Sequence, residues 1–310
     1  MKILITGGAG YIGSVLTEFL LHKNYEVVVV DNLIYGASSL NHLFHFKNFN
    51  LIKCDYRDFK HYKDELIRSD CIIPLAALVG APICSQNIID SQLINQTYIL
   101  RLFNLISKNQ IIIMPTTNSG YGSGKKNQIF KEDSPLKPIS SYAKQKEIVE
   151  SKLMKRKNSI SLRLATVFGS SSRMRLDLLV NDFTYKAVKD NSIVLFEKNF
   201  KRNFIHIRDV ARAFLHCLEN FDNMKGNIYN IGISNCNITK LELCMYIKKY
   251  VKEFDILFKD SKKDLDKRNY IVSNEKIEST GFKTKYSLDD GIIELIKLYK
   301  TLKNFHFGNI

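Results

Sequence analysis

The chain has 310 residues, of which 45% are hydrophobic, and a formal net charge of +15 at pH 7. This length and apolar content allow a large buried core in one or two domains. The lysines are scattered along the whole chain and match no nucleic-acid-binding motif. We therefore interpret the charge as a solvated surface whose field attracts anionic substrates, and we expect no nucleic-acid partner.

Six cysteines occur without a CxxC pair or a regular spacing. This predicts buried thiols in a reducing compartment rather than disulfides or a zinc site. His42 and His45 have no second ligand pair nearby, so we expect no metal. The longest apolar run, Cys71–Cys84, contains prolines and is too short to span a bilayer. The first apolar stretch has the pattern of a core strand rather than a signal peptide, so we expect a cytoplasmic protein without membrane contacts.

The first predicted strand, Lys2–Ile5, runs into the glycine-rich turn TGGAGYIG, and a helical pattern follows at Tyr11–His22. Gly7, Gly10 and Gly13 have no Cβ, so the backbone can turn tightly, approach a pyrophosphate and pack helix against strand. The start of the helix adds free N–H groups and a partial positive charge. This strand–turn–helix context predicts a dinucleotide site rather than an ordinary glycine-rich turn.

The second predicted strand, Glu26–Asp31, is continuously apolar between its terminal residues, as in a parallel strand that is covered on both faces. An acid at this strand end, about twenty residues beyond the glycines, accepts hydrogen bonds from the adenosine ribose hydroxyls and repels a 2′-phosphate. No Arg or Lys follows until Lys47. Asp31 therefore favours NAD over NADP as the cofactor. The alternative is that Asp31 only caps the next helix.

Strand and helix patterns continue to alternate through the first half of the chain. Further strands are predicted at Leu51–Cys54, Cys71–Pro74, Ile111–Met114 and Ile160–Arg163, and helices at Phe59–Ile67, Ile88–Ser107 and Tyr142–Lys157. This alternation predicts an α/β fold with a doubly wound parallel (Rossmann) sheet.

The regular alternation of strand and helix patterns ends after Gly169, where a Ser-rich loop begins. Later helices are predicted at Leu176–Val188, Asp209–Glu219, Thr239–Tyr250 and Leu288–Leu302. We predict an NAD-binding domain formed by residues 1–169 and 204–231. Residues 170–203 and 232–310 are predicted to form a smaller α/β substrate-binding lid, folded onto the carboxyl edge of the sheet, where ligands bind in such folds.

Tyr142 and Lys146 form a YxxxK pattern, which places them at i and i+4 on one face of a predicted helix. A tyrosine with an ordinary pKa of about 10 is a poor base at neutral pH. A nearby lysine ammonium favours the phenolate and lowers its pKa toward the working range. On its own, this pattern is typical of a solvated helix face. In a chain whose first strand ends in the glycine-rich turn, it predicts an acid/base pair. The polar loop after the fifth strand, residues 116–122, can supply a hydroxyl to the substrate alcohol.

Seven motifs follow one another along the sequence: TGGAGYIG, DNL at the end of the second strand, LAA at Leu75, NSGYG at Asn118, YxxxK at Tyr142, RxxxVxG at Arg163 and RNFIHIRD at Arg202. Across nearly its whole length the chain resembles the extended short-chain dehydrogenase/reductase family, specifically its NAD-dependent nucleotide-sugar epimerases and dehydratases. The finer strings IIPLAALVGAP, NSGYG and RMRLDLLVNDF resemble the GDP-manno-heptose 4-dehydrogenases of bacterial capsule polysaccharide synthesis.

The resemblance implies an oxidoreductase that acts on a nucleotide-diphosphate sugar, which is GDP-heptose in the narrower case. It implies Thr117 as the catalytic hydroxyl, Tyr142 as the acid/base and Lys146 as its helper. The implied cofactor-binding residues are Gly7, Gly10, Tyr11, Ile12, Gly13, Asp31, Asn32, Asp55, Leu75, Ala76, Ala77, Tyr142 and Lys146. The implied substrate-binding residues are Thr117, Asn118, Ser119, Arg173, Arg175, Asn181, Arg202 and Arg268. The family also implies a homodimer that pairs through the helices Ile88–Ser107 and Tyr142–Lys157.

The chain departs from the family pattern in three places. Pro74 replaces the usual His before Leu-Ala-Ala, and Thr166 replaces a common Asn. Arg268 is not followed by the familiar Pro-Gly-Asp. The resemblance assigns Arg202 and Arg268 to the diphosphate of the sugar nucleotide, because Arg presents fixed donors to phosphate oxygens. The alternative for each is an ordinary surface cation.

The loop after Thr117 separates the reactions that the family performs. Dehydratases of the family carry Asp-Glu directly after the catalytic Thr, whereas this chain has Asn118 and Ser119, which offer no carboxyl. The Cys of the 3,5-epimerising relatives is also missing from this loop. We expect chemistry at C4, by net dehydrogenation, ketone reduction or 4-epimerisation. An alternative of another class, a non-catalytic dinucleotide-sensing regulator, is disfavoured because Thr117, Tyr142 and Lys146 are all present.

Overall fold

The computed structural model describes residues 1–125, 127–259 and 268–301. Its strands, in chain order, are β1 (Lys2–Thr6), β2 (Glu26–Asp31), β3 (Phe49–Lys53), β4 (Cys71–Pro74), β5 (Ile111–Thr117), β6 (Ile129–Phe130), β7 (Ser159–Leu164), β8 (Thr166–Phe168), β9 (Ser192–Leu195), β10 (Lys201–His206), β11 (Asn227–Ile231), β12 (Asn237–Thr239), β13 (Asp255–Phe258) and β14 (Ile271–Val272).

The α-helices are α1 (Tyr11–His22), α2 (Lys63–Arg68), α3 (Ala81–Gln86), α4 (Ile88–Gln92), α5 (Tyr98–Leu105), α6 (Ser141–Leu153), α7 (Leu179–Lys189), α8 (Ile207–Glu219), α9 (Phe221–Met224), α10 (Lys240–Lys248), α11 (Glu275–Glu278) and α12 (Leu288–Thr301). Short 3₁₀ turns occupy Ser38–Leu43, Phe59–Tyr62 and Asn118–Tyr121, and a π turn occupies Leu93–Thr97.

Seven strands form the central sheet in the order β11-β7-β5-β4-β1-β2-β3, and every neighbouring pair is parallel. The residues of β1 and β2 are almost all buried, because helices cover both faces of the sheet. From β1 the chain passes to β2 on one side, while β4 lies on the other. This reversal of strand order opens a crevice at the carboxyl ends of the strands. The predicted doubly wound parallel sheet is confirmed.

The turn between β1 and α1 depends on two glycines. Gly7 has a φ of +74°, and a Cβ there would lie 2.5 Å from the amide nitrogen of Ala76, beyond the end of β4. A Cβ on Gly13 would lie 2.4 Å from the carbonyl oxygen of Gly7. Any side chain at either position would push α1 away from the sheet, so these glycines set the depth of the crevice.

Several helices differ from their predicted bounds. The segment predicted as one helix over Ile88–Ser107 comprises α4, the π turn and α5, which ends at Leu105. The difference arises because a π turn can occur as a single turn within an α-helix. Helix α6 ends at Leu153 rather than Lys157, and α7 begins at Leu179 rather than Leu176. The predicted end of the last helix, Leu302, lies outside the described residues.

Three small sheets lie outside the central one, and the sequence patterns did not predict them. They are β12-β10-β8, β13-β9 and β14-β6. Their strands have between two and six residues, too few for a clear alternation of apolar and polar positions. The division of the chain into two domains stays a prediction.

Five of the six cysteines are buried and Cys54 is half-buried, and all six are free thiols, as predicted. Within residues 1–125, 127–259 and 268–301, no helix combines the length and apolarity needed to cross a bilayer. In the same part of the chain, no group of three or more His, Cys, Asp or Glu side chains is arranged to hold a metal ion.

Candidate active site

A cavity of about 1230 Å³ opens at the carboxyl edge of the central sheet. Its wall contains most of the residues that the sequence assigned to cofactor or substrate: Gly7, Gly10, Tyr11, Ile12, Gly13, Asp31, Asn32, Asp55, Leu75, Ala76, Ala77, Thr117, Ser119, Tyr142, Lys146, Arg173, Arg175, Arg202 and Arg268. Two assigned residues, Asn118 and Asn181, are buried and do not line it.

The glycine turn forms one end of the cavity. Helix α1 begins at Tyr11, and its N-cap, Gly10, has no side chain to bond the first turn. The amide N–H groups of Tyr11, Ile12 and Gly13 donate no hydrogen bond to any residue in the described part of the chain. Because all three residues line the cavity, these donors and the helix dipole are available to an anionic group.

Asp31 connects the end of β2 to the glycine turn. Its Oδ1 accepts a hydrogen bond from the Leu33 amide at 2.8 Å, and its Oδ2 accepts one from the Ala9 amide at 3.0 Å. Burial raises the pKa of the carboxyl group, and the two amide donors act in the opposite direction. The carboxylate is therefore held at the cavity wall with capacity for further donors, such as ribose hydroxyls.

Asp55 lies at the same end and is engaged by a cation that the sequence reasoning missed. Its Oδ1 accepts from Arg57 Nε at 2.9 Å and its Oδ2 from Arg57 Nη2 at 2.7 Å. These bonds from Arg57 lower the pKa of the Asp55 carboxyl group. Arg57 also lines the cavity. Its position two residues after a predicted cofactor contact was the one available signal.

Lys146 is a buried cation in the cavity wall. Its side chain forms no hydrogen bond or ion pair with a residue of the described ranges, and its Nζ lies 5.9 Å from the centre of the Tyr142 ring. Burial lowers the pKa of Lys146 to about 8, which is the expected effect of desolvating an ammonium group. An ammonium that has no partner within the described residues and lines the same cavity as the glycine turn fits a polar ligand such as the ribose of a dinucleotide.

Tyr142 stands at the cavity wall one helical turn before Lys146, as the YxxxK spacing predicts. Burial raises the pKa of its phenol to about 12; Arg175 and Arg268 lower it, and Cys84 raises it further. The expected lowering of this pKa by Lys146 is not found in this structure. Desolvation of the phenolate outweighs the nearby cations, and the Lys146 ammonium does not hydrogen-bond the phenol.

Thr117 ends β5 and bonds to the turn that follows it. Its Oγ1 donates to Ser119 Oγ at 2.9 Å and accepts from the Ser119 amide at 3.1 Å. Ser119 Oγ also accepts a hydrogen bond from the Arg268 guanidinium. Hydrogen bonds thus connect Thr117, Ser119 and Arg268, three assigned residues that come from two distant segments of the sequence. The Asn118 side chain is fully buried, and neither its amide nitrogen nor its amide oxygen has a hydrogen-bond partner in the described residues.

Cations line the remainder of the cavity. Arg202 is buried on β10 with its guanidinium 5.7 Å from the centre of the Tyr270 ring, and Arg175 is paired with Asp177 at 2.5 Å. The Arg173 guanidinium lies 4.1 Å from the centre of the Tyr35 ring. These arginines, with Arg268, place guanidinium groups in the cavity wall, and such groups suit the oxygens of a diphosphate.

Asn181 supports this wall from behind. Its Oδ1 accepts from the Gly169 amide at 3.1 Å, and its Nδ2 donates to the Arg175 carbonyl oxygen at 2.9 Å. Lys240 and Tyr270 also line the cavity. Neither was singled out from the sequence, because no local motif surrounds them.

Comparison with known proteins gives a consistent family. A family model described as the NAD dependent epimerase/dehydratase family matches residues 3–232. The dTDP-D-glucose 4,6-dehydratase of Mus musculus is 26% identical over 327 residues, an alignment that covers 98% of this chain and 90% of the relative. The UDP-glucose 4-epimerase of Thermotoga maritima, solved with UDP-glucose, has a TM-score of 0.84 at 25% identity over 97% of this chain and 99% of that one.

A further solved structure supports the fold. The UDP-glucuronic acid 4-epimerase of Bacillus cereus has a TM-score of 0.86 at 24% identity and covers 98% of this chain and 100% of its own. The glycine turn, the free amides at the start of α1 and the unpaired Lys146 ammonium fit the cofactor that the family model names. The chain therefore belongs to the NAD-dependent epimerase/dehydratase family, is an enzyme and uses NAD as its cofactor.

Proposed function

We propose that the enzyme oxidises the C4 hydroxyl of a nucleotide-linked sugar. The observation that carries this proposal is the single cavity wall that contains Tyr142, Lys146 and Thr117 together with the glycine turn. The residues after Thr117 are Asn118 and Ser119, which offer no carboxyl group for removal of water. The relatives named above are enzymes of nucleotide sugars, which supports the substrate class.

In this proposal Tyr142 is the general base. Its phenolate accepts the proton of the C4 hydroxyl while the C4–H bond breaks and a ketone forms. NAD, when bound, accepts the hydride. Thr117 Oγ1 hydrogen-bonds the same substrate oxygen, and Lys146 holds the cofactor ribose and keeps positive charge beside the phenol. Because burial raises the pKa of Tyr142 to about 12, the rate of oxidation increases with pH across the neutral range.

The identity of the sugar and the fate of the ketone are further parts of the proposal. The strings NSGYG and RMRLDLLVNDF favour GDP-manno-heptose and release of the ketone, as in a 4-dehydrogenase of capsule polysaccharide synthesis. The second candidate is a 4-epimerase, which returns hydride to the opposite face of the ketone. Similarity to the UDP-glucose 4-epimerase of T. maritima supports this second candidate.

We also propose a homodimer that pairs through α4, α5 and α6. Ile88 and Ile89 on α4, Leu105 on α5 and Ile148 on α6 are all exposed apolar side chains. Burying such side chains in a second copy would remove apolar surface from water. The family resemblance predicts pairing through the same two segments, Ile88–Ser107, which contains α4 and α5, and Tyr142–Lys157, which contains most of α6.

The test of the proposed function is product analysis with a panel of nucleotide-linked hexoses and heptoses that includes GDP-manno-heptose. We expect NADH formation and a C4 ketone, or a C4 epimer if the ketone is reduced again. Tyr142→Phe keeps the ring but removes the proton acceptor, so hydride transfer should decrease by ~10²–10⁴ while NAD remains bound. Wild-type turnover by a folded Tyr142→Phe enzyme would contradict the mechanism.

Asp31→Ala should weaken NAD binding and relax discrimination against NADP, because it removes the ribose acceptor and the charge that repels a 2′-phosphate. Titration calorimetry with both cofactors measures this. The matched control is Asp58→Ala, which removes the same charge from a residue that does not line the cavity. Equal affinity of the wild-type enzyme for NADP and NAD would show that the assignment of Asp31 is wrong.

Arg202→Ala and Arg268→Ala should each raise KM for the sugar nucleotide much more than they lower kcat, because the diphosphate is bound alike in ground and transition states. Steady-state kinetics on the preferred substrate measures this. Lys201→Ala is the control, since it removes a charge one position along β10 and lies outside the cavity lining. If KM stays at the wild-type value in both arginine variants, Arg173 and Arg175 become the candidates.

Ile89→Glu, at the most exposed apolar residue of α4, should convert the proposed dimer to a monomer, because it places a charge in an apolar contact. Sedimentation at micromolar concentration measures the mass. Ile67→Glu on α2 is the control, since it adds the same charge at an exposed isoleucine outside the proposed interface. A monomeric wild-type protein would refute the dimer.

A further inference from the structure

A buried carboxylate lies on the catalytic helix two turns beyond Tyr142. Glu150 is on α6, and its side chain is only 5% exposed. Its Oε2 accepts hydrogen bonds from Thr116 Oγ1 at 2.8 Å and Ser161 Oγ at 2.7 Å. Its Oε1 accepts from Arg163 Nη2 at 2.6 Å and from Arg163 Nε at 3.1 Å. One carboxylate thus joins α6 to β5 and to β7.

The network continues from Arg163 to the other side of Thr117. Arg163 Nη1 donates to the Tyr121 hydroxyl at 2.8 Å, and that hydroxyl donates to Asn230 Oδ1 at 2.8 Å. Tyr121 closes the 3₁₀ turn that follows Thr117. Thr117 therefore lies between two anchored residues, Thr116 and Tyr121, and both are tied to the Glu150–Arg163 pair.

Charged groups removed from water are retained only where partners satisfy them. Here both oxygens of Glu150 have two donors or more, so the carboxylate tolerates little movement without losing a bond. Hydrogen bonds to charged groups are also stronger and shorter than neutral ones. The arrangement fixes the helix that carries Tyr142 against the strand that carries Thr117.

We propose that Glu150 and Arg163 are positioning residues that set the distance between the Tyr142 phenol and the Thr117 hydroxyl through the Thr116 bond. This inference rests on the proposed function in that it takes those two hydroxyls as the groups that meet the substrate. Neither Glu150 nor Arg163 lines the cavity, so both act only through other residues.

The two hydroxyls on Glu150 Oε2 provide a matched pair of variants. Thr116→Val and Ser161→Ala each remove one buried hydrogen bond to the same oxygen, and each also removes the 3.0 Å contact between the two hydroxyls. Thr116 precedes Thr117 on β5 and also lines the cavity, whereas Ser161 lies outside the cavity lining on β7, which carries no proposed catalytic side chain. A structural role predicts the same effect for both variants. A positioning role predicts a kinetic effect for Thr116→Val alone, together with a changed distance from the Tyr142 hydroxyl to Thr117 Oγ1. A direct contact of Thr116 with a ligand predicts the kinetic effect without that change.

We expect the two variants to lower the melting temperature of the NAD-loaded enzyme to a similar degree. Misplacement of a catalytic group by about 1 Å costs up to ~10²-fold, so Thr116→Val should lower kcat by roughly 10- to 100-fold with KM nearly unchanged. Ser161→Ala should keep kcat within about twofold, and Thr116→Ser, which retains the hydroxyl, should restore it. Equal kcat values for Thr116→Val and Ser161→Ala would overturn the proposal.

Crystal structures of the NAD-loaded variants separate this inference from the proposed function, because they need no turnover. The distance from the Tyr142 hydroxyl to Thr117 Oγ1 should change in Thr116→Val and stay the same in Ser161→Ala. An unchanged distance in both would overturn the positioning role even if C4 oxidation is established. A changed distance in an enzyme that oxidises no nucleotide sugar would support positioning while contradicting the proposed function.

Discussion

The close approach of the glycine turn to the backbone beyond β4 is the constraint on which the site depends. Gly7 and Gly13 leave no room for a Cβ, so α1 packs directly on the sheet and its first amides reach the crevice. Asp31 then bonds the Ala9 amide of the same turn, which couples the end of β2 to it. The end of the cavity proposed for the cofactor is thus shaped largely by backbone contacts, which few substitutions can alter without moving the helix.

The wall proposed to be catalytic, which contains Thr117, Tyr142 and Lys146, depends on polar contacts instead. Tyr142 and Lys146 line the cavity from one face of α6, while Glu150 anchors the same helix from within the protein. The Arg268–Ser119 bond connects a late segment of the chain to the loop after Thr117. Residues far apart in sequence are therefore held at one site by hydrogen bonds, which weaken when their distances or angles change.

Sequence reasoning succeeded where the signal is local. The glycine spacing, the strand ending in Asp31 and the i, i+4 pair on α6 each lie within a few residues of one another, so periodicity and motif predict them. The raised pKa of Tyr142 could not be predicted from the sequence, because it depends on how many atoms of the folded protein bury the phenol. The π turn at Leu93–Thr97 was missed for a different reason: no local motif in the sequence marks it.

Lys146 has a consequence for the stability of the enzyme as a whole. Its pKa is about 8 in the folded chain against an ordinary 10.5, so the folded state binds fewer protons than the unfolded state between these values, and stability increases with pH there. Below pH 8 the desolvated ammonium opposes folding by an amount on the order of 3 kcal/mol. A ligand that accepts a hydrogen bond from this ammonium relieves that cost. In the proposed site that ligand is the NAD ribose, so the proposal implies that NAD binding stabilises the folded protein against unfolding and proteolysis.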